Sequence, residues 1–122
     1  MSAPAEVISG VAIAADLDTN NPRPMIAILD AKPGHSDDLR DLVTELTAQV
    51  RAEPGCLAFI PYQSHDTPER FYLYEIYRDL DAFRTHLHTD HVKHFVATAP
   101  RLCTTDTSDA LVQLDEIPVP ES

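Results

Sequence analysis

Two side chains that can exchange protons, Glu75 and His86, lie eleven positions apart and close to several aromatic residues. A carboxylate and an imidazole are groups that proteins commonly use for general acid–base catalysis. In an extended segment alternate side chains share a face, so Leu73 and Tyr77 lie on the same side as Glu75. In a helix residues three apart share a face, which places Phe83 beside His86. The pattern indicates a candidate acid–base pair whose members each have apolar or aromatic neighbours.

Four histidines, His86, His88, His91 and His94, fall within nine residues, and imidazole is also a common metal ligand. Three of them, His88, His91 and His94, would share a helix face only if the helix were continuous, and a polar Thr-Asp pair interrupts the segment. No HExxH motif and no zinc-finger spacing occurs. We therefore expect an exposed histidine-rich surface and no specific metal site.

Motifs for organic cofactors and for nucleophilic catalysis are missing from the sequence. The chain has three glycines, too far apart to form a phosphate-binding loop. Its two cysteines, Cys56 and Cys103, are too few for a disulfide framework and form no CxxC motif. We expect an activity without a cofactor, and we interpret Cys56 as a packing residue.

Six main elements must position the candidate pair. The predicted strands cover residues 25–29, 56–63, 70–77 and 110–114, the predicted helices cover residues 36–51 and 80–88, and a shorter helical segment covers residues 91–98. The order β-α-β-β-α-β is typical of a ferredoxin-like plait, an α+β fold in which both helices cover one face of a four-stranded antiparallel sheet.

The third predicted strand carries apolar or aromatic side chains on both faces (RFYLYEIY, residues 70–77). Because the helices cover only one face of the sheet, the other face requires a second covering layer. A sheet from an identical subunit is the simplest such layer, so the burial pattern predicts a homodimer.

Composition and charge exclude several classes of partner. Twenty acidic residues against nine basic ones give a net charge of −11, which disfavours nucleic acid and anionic membrane surfaces. No apolar stretch is long enough to span a membrane, and no basic region precedes the short apolar run near the N-terminus. We expect a cytoplasmic protein.

The chain divides into a central domain and two end segments. Residues 1–24 are interpreted as an N-terminal extension, since they end in a stretch rich in turn-forming residues and proline. Within the extension, residues 7–14 either add a strand at a sheet edge or are loosely attached. Residues 25–117 form the domain, and residues 118–122 form a C-terminal tail.

Several motifs together resemble a known family. They are AKPG at residues 31–34, RAEPGCL at 51–57, FYLYEIYRD at 71–79 and the spacing AFxxHLxxDH at 82–91. In combination these motifs are similar to the antibiotic biosynthesis monooxygenase (ABM) domain family, with a good match over about residues 25–98. The resemblance implies a dimeric α+β barrel that oxygenates phenols, hydroquinones or polycyclic aromatic compounds without a cofactor. Its partners would then be a small aromatic substrate and dioxygen.

The resemblance also implies a pocket on the sheet face that bears Glu75. There Glu75 and His86 would orient the substrate and remove its proton, and the pocket would be enclosed by Leu73, Tyr77, Phe83 and Phe59. Alternatively, Glu75 and His86 only tie a helix to the sheet through a buried hydrogen bond. His91 either lines the pocket mouth or caps the turn at which it lies.

Some positions depart from the family pattern. The chain has no tryptophan, and Ala27 lies where haem-degrading members carry an asparagine, so haem degradation is not expected. Phe83 lies where some polyketide oxygenases carry a tyrosine, and phenylalanine cannot donate a proton. Two other functions therefore stay open: an isomerase that uses the same Glu/His pair, and a non-catalytic dimeric barrel that binds a ligand. The extension would cover a partner, exchange across the dimer or close the pocket.

Overall fold

The computed structural model describes residues 4–9, 11–14, 20–106 and 110–120. The strands are β1 (Pro4–Ile8), β2 (Val11–Ala14), β3 (Arg23–Asp30), β4 (Cys56–Gln63), β5 (Arg70–Tyr77) and β6 (Leu111–Gln113). The helices are α1 (Ser36–Arg51), α2 (Leu80–Leu87) and α3 (Asp90–Thr98), and a short 3₁₀ turn, Ala99–Arg101, follows α3.

The main sheet has four antiparallel strands in the order β4-β5-β3-β6. Each of the four strands that the sequence predicts is present, although β3 begins two residues earlier than expected and β6 is shorter. With α1 between β3 and β4, and α2 and α3 between β5 and β6, the element order confirms the predicted ferredoxin-like α+β fold.

Helix α1 packs on the sheet through one apolar face. The buried apolar side chains recur at helical spacing and are Leu39, Leu42, Val43, Leu46 and Val50. The chain then turns through Glu53-Pro54-Gly55 toward β4. A Cβ atom added to Gly55 would lie 2.4 Å from Cβ of Ala82 in α2, so this turn can approach the second helix only with a glycine.

Helices α2 and α3 are separate because a residue between them caps the second one. The Asp79 side chain accepts a hydrogen bond from the Ala82 backbone N–H at 2.8 Å and begins α2. Thr89 accepts one from the Val92 N–H at 3.3 Å and begins α3. The hydroxyl of Thr89 also donates to the carbonyl oxygen of His86 at 2.7 Å, which fixes the turn between the two helices.

The two faces of the sheet differ in burial. On the face toward the helices, Met25, Leu29, Phe71, Leu73 and Tyr77 are fully buried. The opposite face carries apolar and aromatic side chains that stay partly or largely exposed: Ile26, Ile28, Ile60, Tyr62, Tyr72, Tyr74, Ile76 and Val112. Each strand thus alternates between a core position and a position on this second, apolar face.

The N-terminal segment forms a hairpin of its own. Strands β1 and β2 pair antiparallel as a two-stranded sheet and do not join the main sheet, so neither an added edge strand nor a loose segment describes them. Ile8 is buried, and the Ser9 hydroxyl donates to the Leu87 carbonyl oxygen at 2.6 Å. Parts of the proposed extension and tail, residues 1–3, 10, 15–19 and 121–122, lie outside the described residues.

No helix in the described ranges combines the length and the apolar character that a membrane crossing requires.

Candidate active site

An apolar cavity lies between the helix-facing side of the main sheet, the helices and the N-terminal hairpin. Sheet residues on its wall include Phe59 and Leu73, and Phe83 of α2 contributes an aromatic ring. The hairpin adds Ser9 and Val11 to the wall. Such an enclosure suits an apolar or aromatic ligand, with a few polar groups to orient it.

Two ionisable side chains, Glu75 of β5 and His86 of α2, line this cavity. Each residue is 5% exposed. Burial raises the pKa of Glu75, and the nearby charges and hydrogen bonds of His86 and Tyr77 oppose that shift without cancelling it. A carboxyl group whose pKa is raised by an apolar pocket can bind and release a proton closer to neutral pH than an exposed one.

The hydroxyl of Tyr77 connects the two ionisable groups. It lies 2.6 Å from Oε1 of Glu75 and 3.0 Å from Nε2 of His86. The direct distance between Glu75 Oε1 and His86 Nε2 is longer, at 3.9 Å. Burial and the Glu75 charge raise the pKa of Tyr77, so the phenol keeps its proton. The shortest hydrogen-bonded connection between Glu75 and His86 therefore runs through this hydroxyl.

On its other side His86 contacts a second carboxylate, Glu53. Nδ1 of His86 lies 2.9 Å from Glu53 Oε2, and Nε2 of His91 lies 2.6 Å from the same oxygen. Burial raises the pKa of Glu53, but the hydrogen bonds and charges of His86 and His91 outweigh it, so that the pKa lies below the usual value. Glu53 is thus an anion that both histidines stabilise.

Two distributions of protons satisfy these distances. In the first, Glu75 is a neutral acid that donates to the Tyr77 oxygen, the Tyr77 hydroxyl donates to Nε2 of His86, and Nδ1 of His86 donates to Glu53. In the second, Glu75 is a carboxylate that accepts from Tyr77, and His86 is an imidazolium that donates through both nitrogens. The two states differ only in the positions of two protons along hydrogen bonds that already exist, so no heavy atom must travel.

The structure brings most of the predicted site residues together. Glu75, His86, Leu73, Phe83 and Phe59 line one cavity. Two other predicted site residues, Tyr77 and His91, are not among the described residues that line the cavity. Tyr77 is fully buried behind Glu75 and contributes its hydroxyl instead of a ring face, and His91 lies beyond Glu53, toward the surface.

Sequence reasoning missed Glu53. It belongs to the RAEPGCL motif at residues 51–57, which the sequence analysis uses only for the family resemblance. Its partners His86 and His91 are 33 and 38 positions away, and no local pattern reports such a contact. The available signal was that Glu53 is a charged residue within the RAEPGCL motif, which is shared with the family. His88 and His94, two members of the predicted histidine surface, are exposed.

Residues 25–98 match the family described as antibiotic biosynthesis monooxygenase. No curated protein gives a significant match.

Solved structures give further matches. The structure of PA3566 from Pseudomonas aeruginosa is 29% identical, with a TM-score of 0.73, and the match covers 84% of this chain and 100% of that one. Rv0793 from Mycobacterium tuberculosis is 27% identical, with a TM-score of 0.74 and coverage of 83% and 100%. A structure described as an antibiotic biosynthesis monooxygenase is 28% identical, with a TM-score of 0.72 and coverage of 79% and 99%.

Proposed function

The chain belongs to the antibiotic biosynthesis monooxygenase family, and from that premise we propose that it is a cofactor-independent monooxygenase. Its substrate would be a phenol, a hydroquinone or a polycyclic aromatic compound. The observation that carries the proposal is the placement of Glu75 and His86 in an apolar cavity, linked by the Tyr77 hydroxyl. Relatives whose names include monooxygenase support the same general class.

In the proposed reaction the substrate itself supplies the electrons. Glu75, in its carboxylate state, accepts the phenol proton, while the Tyr77 hydroxyl and His86 hold the carboxyl group in place through their hydrogen bonds. The ring carbon opposite the phenolate oxygen then bonds to dioxygen, and protonation gives a hydroperoxide. Cleavage of the O–O bond and of the C–H bond at that carbon releases water and leaves a carbonyl, so that a phenol and O₂ become a quinone and water.

The walls of the cavity contribute binding and exclusion of water. Leu73, Phe59 and Phe83 are buried apolar residues that can contact an aromatic ring. A low-polarity enclosure strengthens the interactions of the developing phenolate with the few polar groups present. Glu53 and His91 do not line the cavity, and we assign them to positioning His86 from behind.

An isomerase is the second candidate, and the hydrogen-bond chain is the observation in its favour. A chain that can hold a proton at either Glu75 or His86 can also remove a proton from one carbon of a small metabolite and return it to another. Such a reaction would use the same residues and would consume no dioxygen. A non-catalytic ligand-binding barrel would leave the ligand unchanged.

The deciding experiment measures oxygen uptake by metal-stripped protein with a panel of quinols and polycyclic phenols. Glu75→Gln and His86→Ala should each lower uptake by about 10²–10⁴-fold, the usual contribution of a positioned acid or base. Tyr74→Phe, a change on the opposite face of β5, is the matched control and should keep the wild-type rate. Uptake that survives in both site variants would overturn the assignment. Turnover without uptake would identify the isomerase.

We also propose that the partly exposed apolar face of the main sheet packs against a second copy of the chain. The face carries Ile76, Tyr74 and Tyr62, the last of which is 55% exposed. Faces of this character are typical of interfaces between subunits. Sedimentation should give a dimer at micromolar concentration. Ile76→Glu should give a monomer, and Ala48→Glu on the exposed side of α1 should not. A wild-type monomer would refute the proposal.

A further inference from the structure

We propose that Glu53, His86 and His91 form a binding site for one divalent transition-metal ion of the zinc class. One potential ligand atom from each side chain lies within 4.8 Å of the others. Two imidazoles and one carboxylate are a set that binds Zn²⁺ in proteins and leaves further coordination positions open. The convergence of these three side chains, not the histidine-rich surface, is the basis of the proposal.

The three donors lie at ends of three different helices, which packing holds in place. Glu53 follows the end of α1, His86 is in the last turn of α2, and His91 is in the first turn of α3. The turn between the histidines is fixed by Thr89, which bonds to both helices. Little conformational entropy therefore has to be lost when an ion brings the histidines together.

His86 is also oriented as a metal ligand is. Histidines that bind metals use their second ring nitrogen in a hydrogen bond that fixes the ring and leads toward a carboxylate. Here Nδ1 points to the proposed site, and Nε2 lies 3.0 Å from the Tyr77 hydroxyl, which in turn contacts Glu75. An ion on Nδ1 would leave the proton on Nε2, which keeps Tyr77 as the donor to Glu75 and Glu75 as a proton acceptor.

Binding requires a small movement of Glu53 and the release of protons. Without an ion, His86 Nδ1 lies 2.9 Å and His91 Nε2 lies 2.6 Å from Glu53 Oε2. These are hydrogen-bond distances, with an N–H proton between each nitrogen and the oxygen. Ligand bonds of about 2.0–2.1 Å place neighbouring donors roughly 3.0–3.4 Å apart. The Glu53 side chain has several rotatable bonds and can retreat by that difference. The ion replaces the histidine protons, so binding should release protons to the buffer.

The experiment titrates the metal-stripped full-length chain with Zn²⁺ by calorimetry at neutral pH, in buffers that differ in ionisation enthalpy. We expect one ion per chain, with proton release, and affinity at least about 30-fold lower in His91→Ala and Glu53→Gln. His88→Ala and His94→Ala are matched controls, because both remove an exposed histidine close to the site in sequence. Both controls should bind within about threefold of the wild type.

Two results would overturn the proposal. One is the absence of stoichiometric binding at millimolar Zn²⁺. The other is a loss in His88→Ala or His94→Ala as large as that in His91→Ala, which would identify adventitious binding to surface histidines. His91 is partly exposed, so its alanine variant tests the site even if Glu53→Gln is poorly folded. Because the readout is ion binding, its failure is distinct from any failure of the oxygenase proposal.

Discussion

Replacing Tyr77 by phenylalanine should destabilise the protein by about 2–4 kcal/mol near neutral pH. The figure adds the loss of one hydrogen bond to a charged group, about 1.5–3 kcal/mol, to the loss of one neutral hydrogen bond, about 0.5–1.5 kcal/mol. The change removes one hydroxyl and keeps a ring that is fully buried. That hydroxyl contacts Glu75 at 2.6 Å and His86 at 3.0 Å, so both partners lose a bond. Glu75 and His86 cannot replace the lost bonds by bonding to each other, since the distance between Glu75 Oε1 and His86 Nε2 is 3.9 Å.

The loss of stability should depend on pH. Burial raises the pKa of Glu75, and the hydrogen bond from Tyr77 lowers it toward the usual value. A group with a raised native pKa costs stability as the pH rises through that pKa, because the unfolded state releases its proton first. Without the hydroxyl the native pKa of Glu75 rises further. As the pH rises from mildly acidic to mildly alkaline values, the deficit of the variant relative to the wild type should therefore grow.

Urea unfolding across that pH range, at one fixed protein concentration, measures the effect. Tyr74→Phe is the matched control, because the same hydroxyl is removed from the same strand but on the opposite sheet face. It should stay within about 0.5 kcal/mol of the wild type, because the change keeps the ring of a residue that is only partly buried within one chain. A Tyr77→Phe variant as stable as this control, or one whose deficit does not vary with pH, would refute the reasoning.

Substitutions at three other positions test separate parts of the structure. Glu53→Gln should be less stable than the wild type at neutral pH. The difference in stability should shrink as the pH falls through the lowered pKa of Glu53, and thermal unfolding at several pH values measures it. Gly55→Ala places a Cβ 2.4 Å from Cβ of Ala82, so the free energy of unfolding should fall by about 1–3 kcal/mol. An unchanged unfolding midpoint would contradict the close approach of the turn to α2. Asp79→Ala removes the cap of α2 and should cost about 1 kcal/mol, whereas Asp79→Asn should keep most of it; equal losses would argue against capping.

The framework of the fold was predictable because it depends on short-range patterns. Alternation along residues 70–77 placed Leu73, Glu75 and Tyr77 on one face, and the structure buries all three. The break between α2 and α3 followed from the Thr-Asp pair that interrupts the helical segment. These predictions needed only the periods of strands and helices and the chemistry of caps.

The hydrogen-bond chain could not be predicted in the same way. Alternation fixes the face of Tyr77 but not the direction of its hydroxyl, which depends on how α2 packs over β5. The role of Glu53 depends on a contact between the end of α1 and two later helices. The pairing of β1 with β2 was also missed, because a short apolar segment does not specify its partner strand.

The family segment holds all the acid–base groups of the site but only part of the cavity wall. Glu53, Glu75, Tyr77, His86 and His91 all lie within residues 25–98, the span shared with the family. Part of the wall comes from outside that span, from the N-terminal hairpin and from residues 110 and 111. Changes in the hairpin or at residues 110 and 111 can therefore reshape the cavity wall without altering the proton-transferring groups, which all lie within the shared segment.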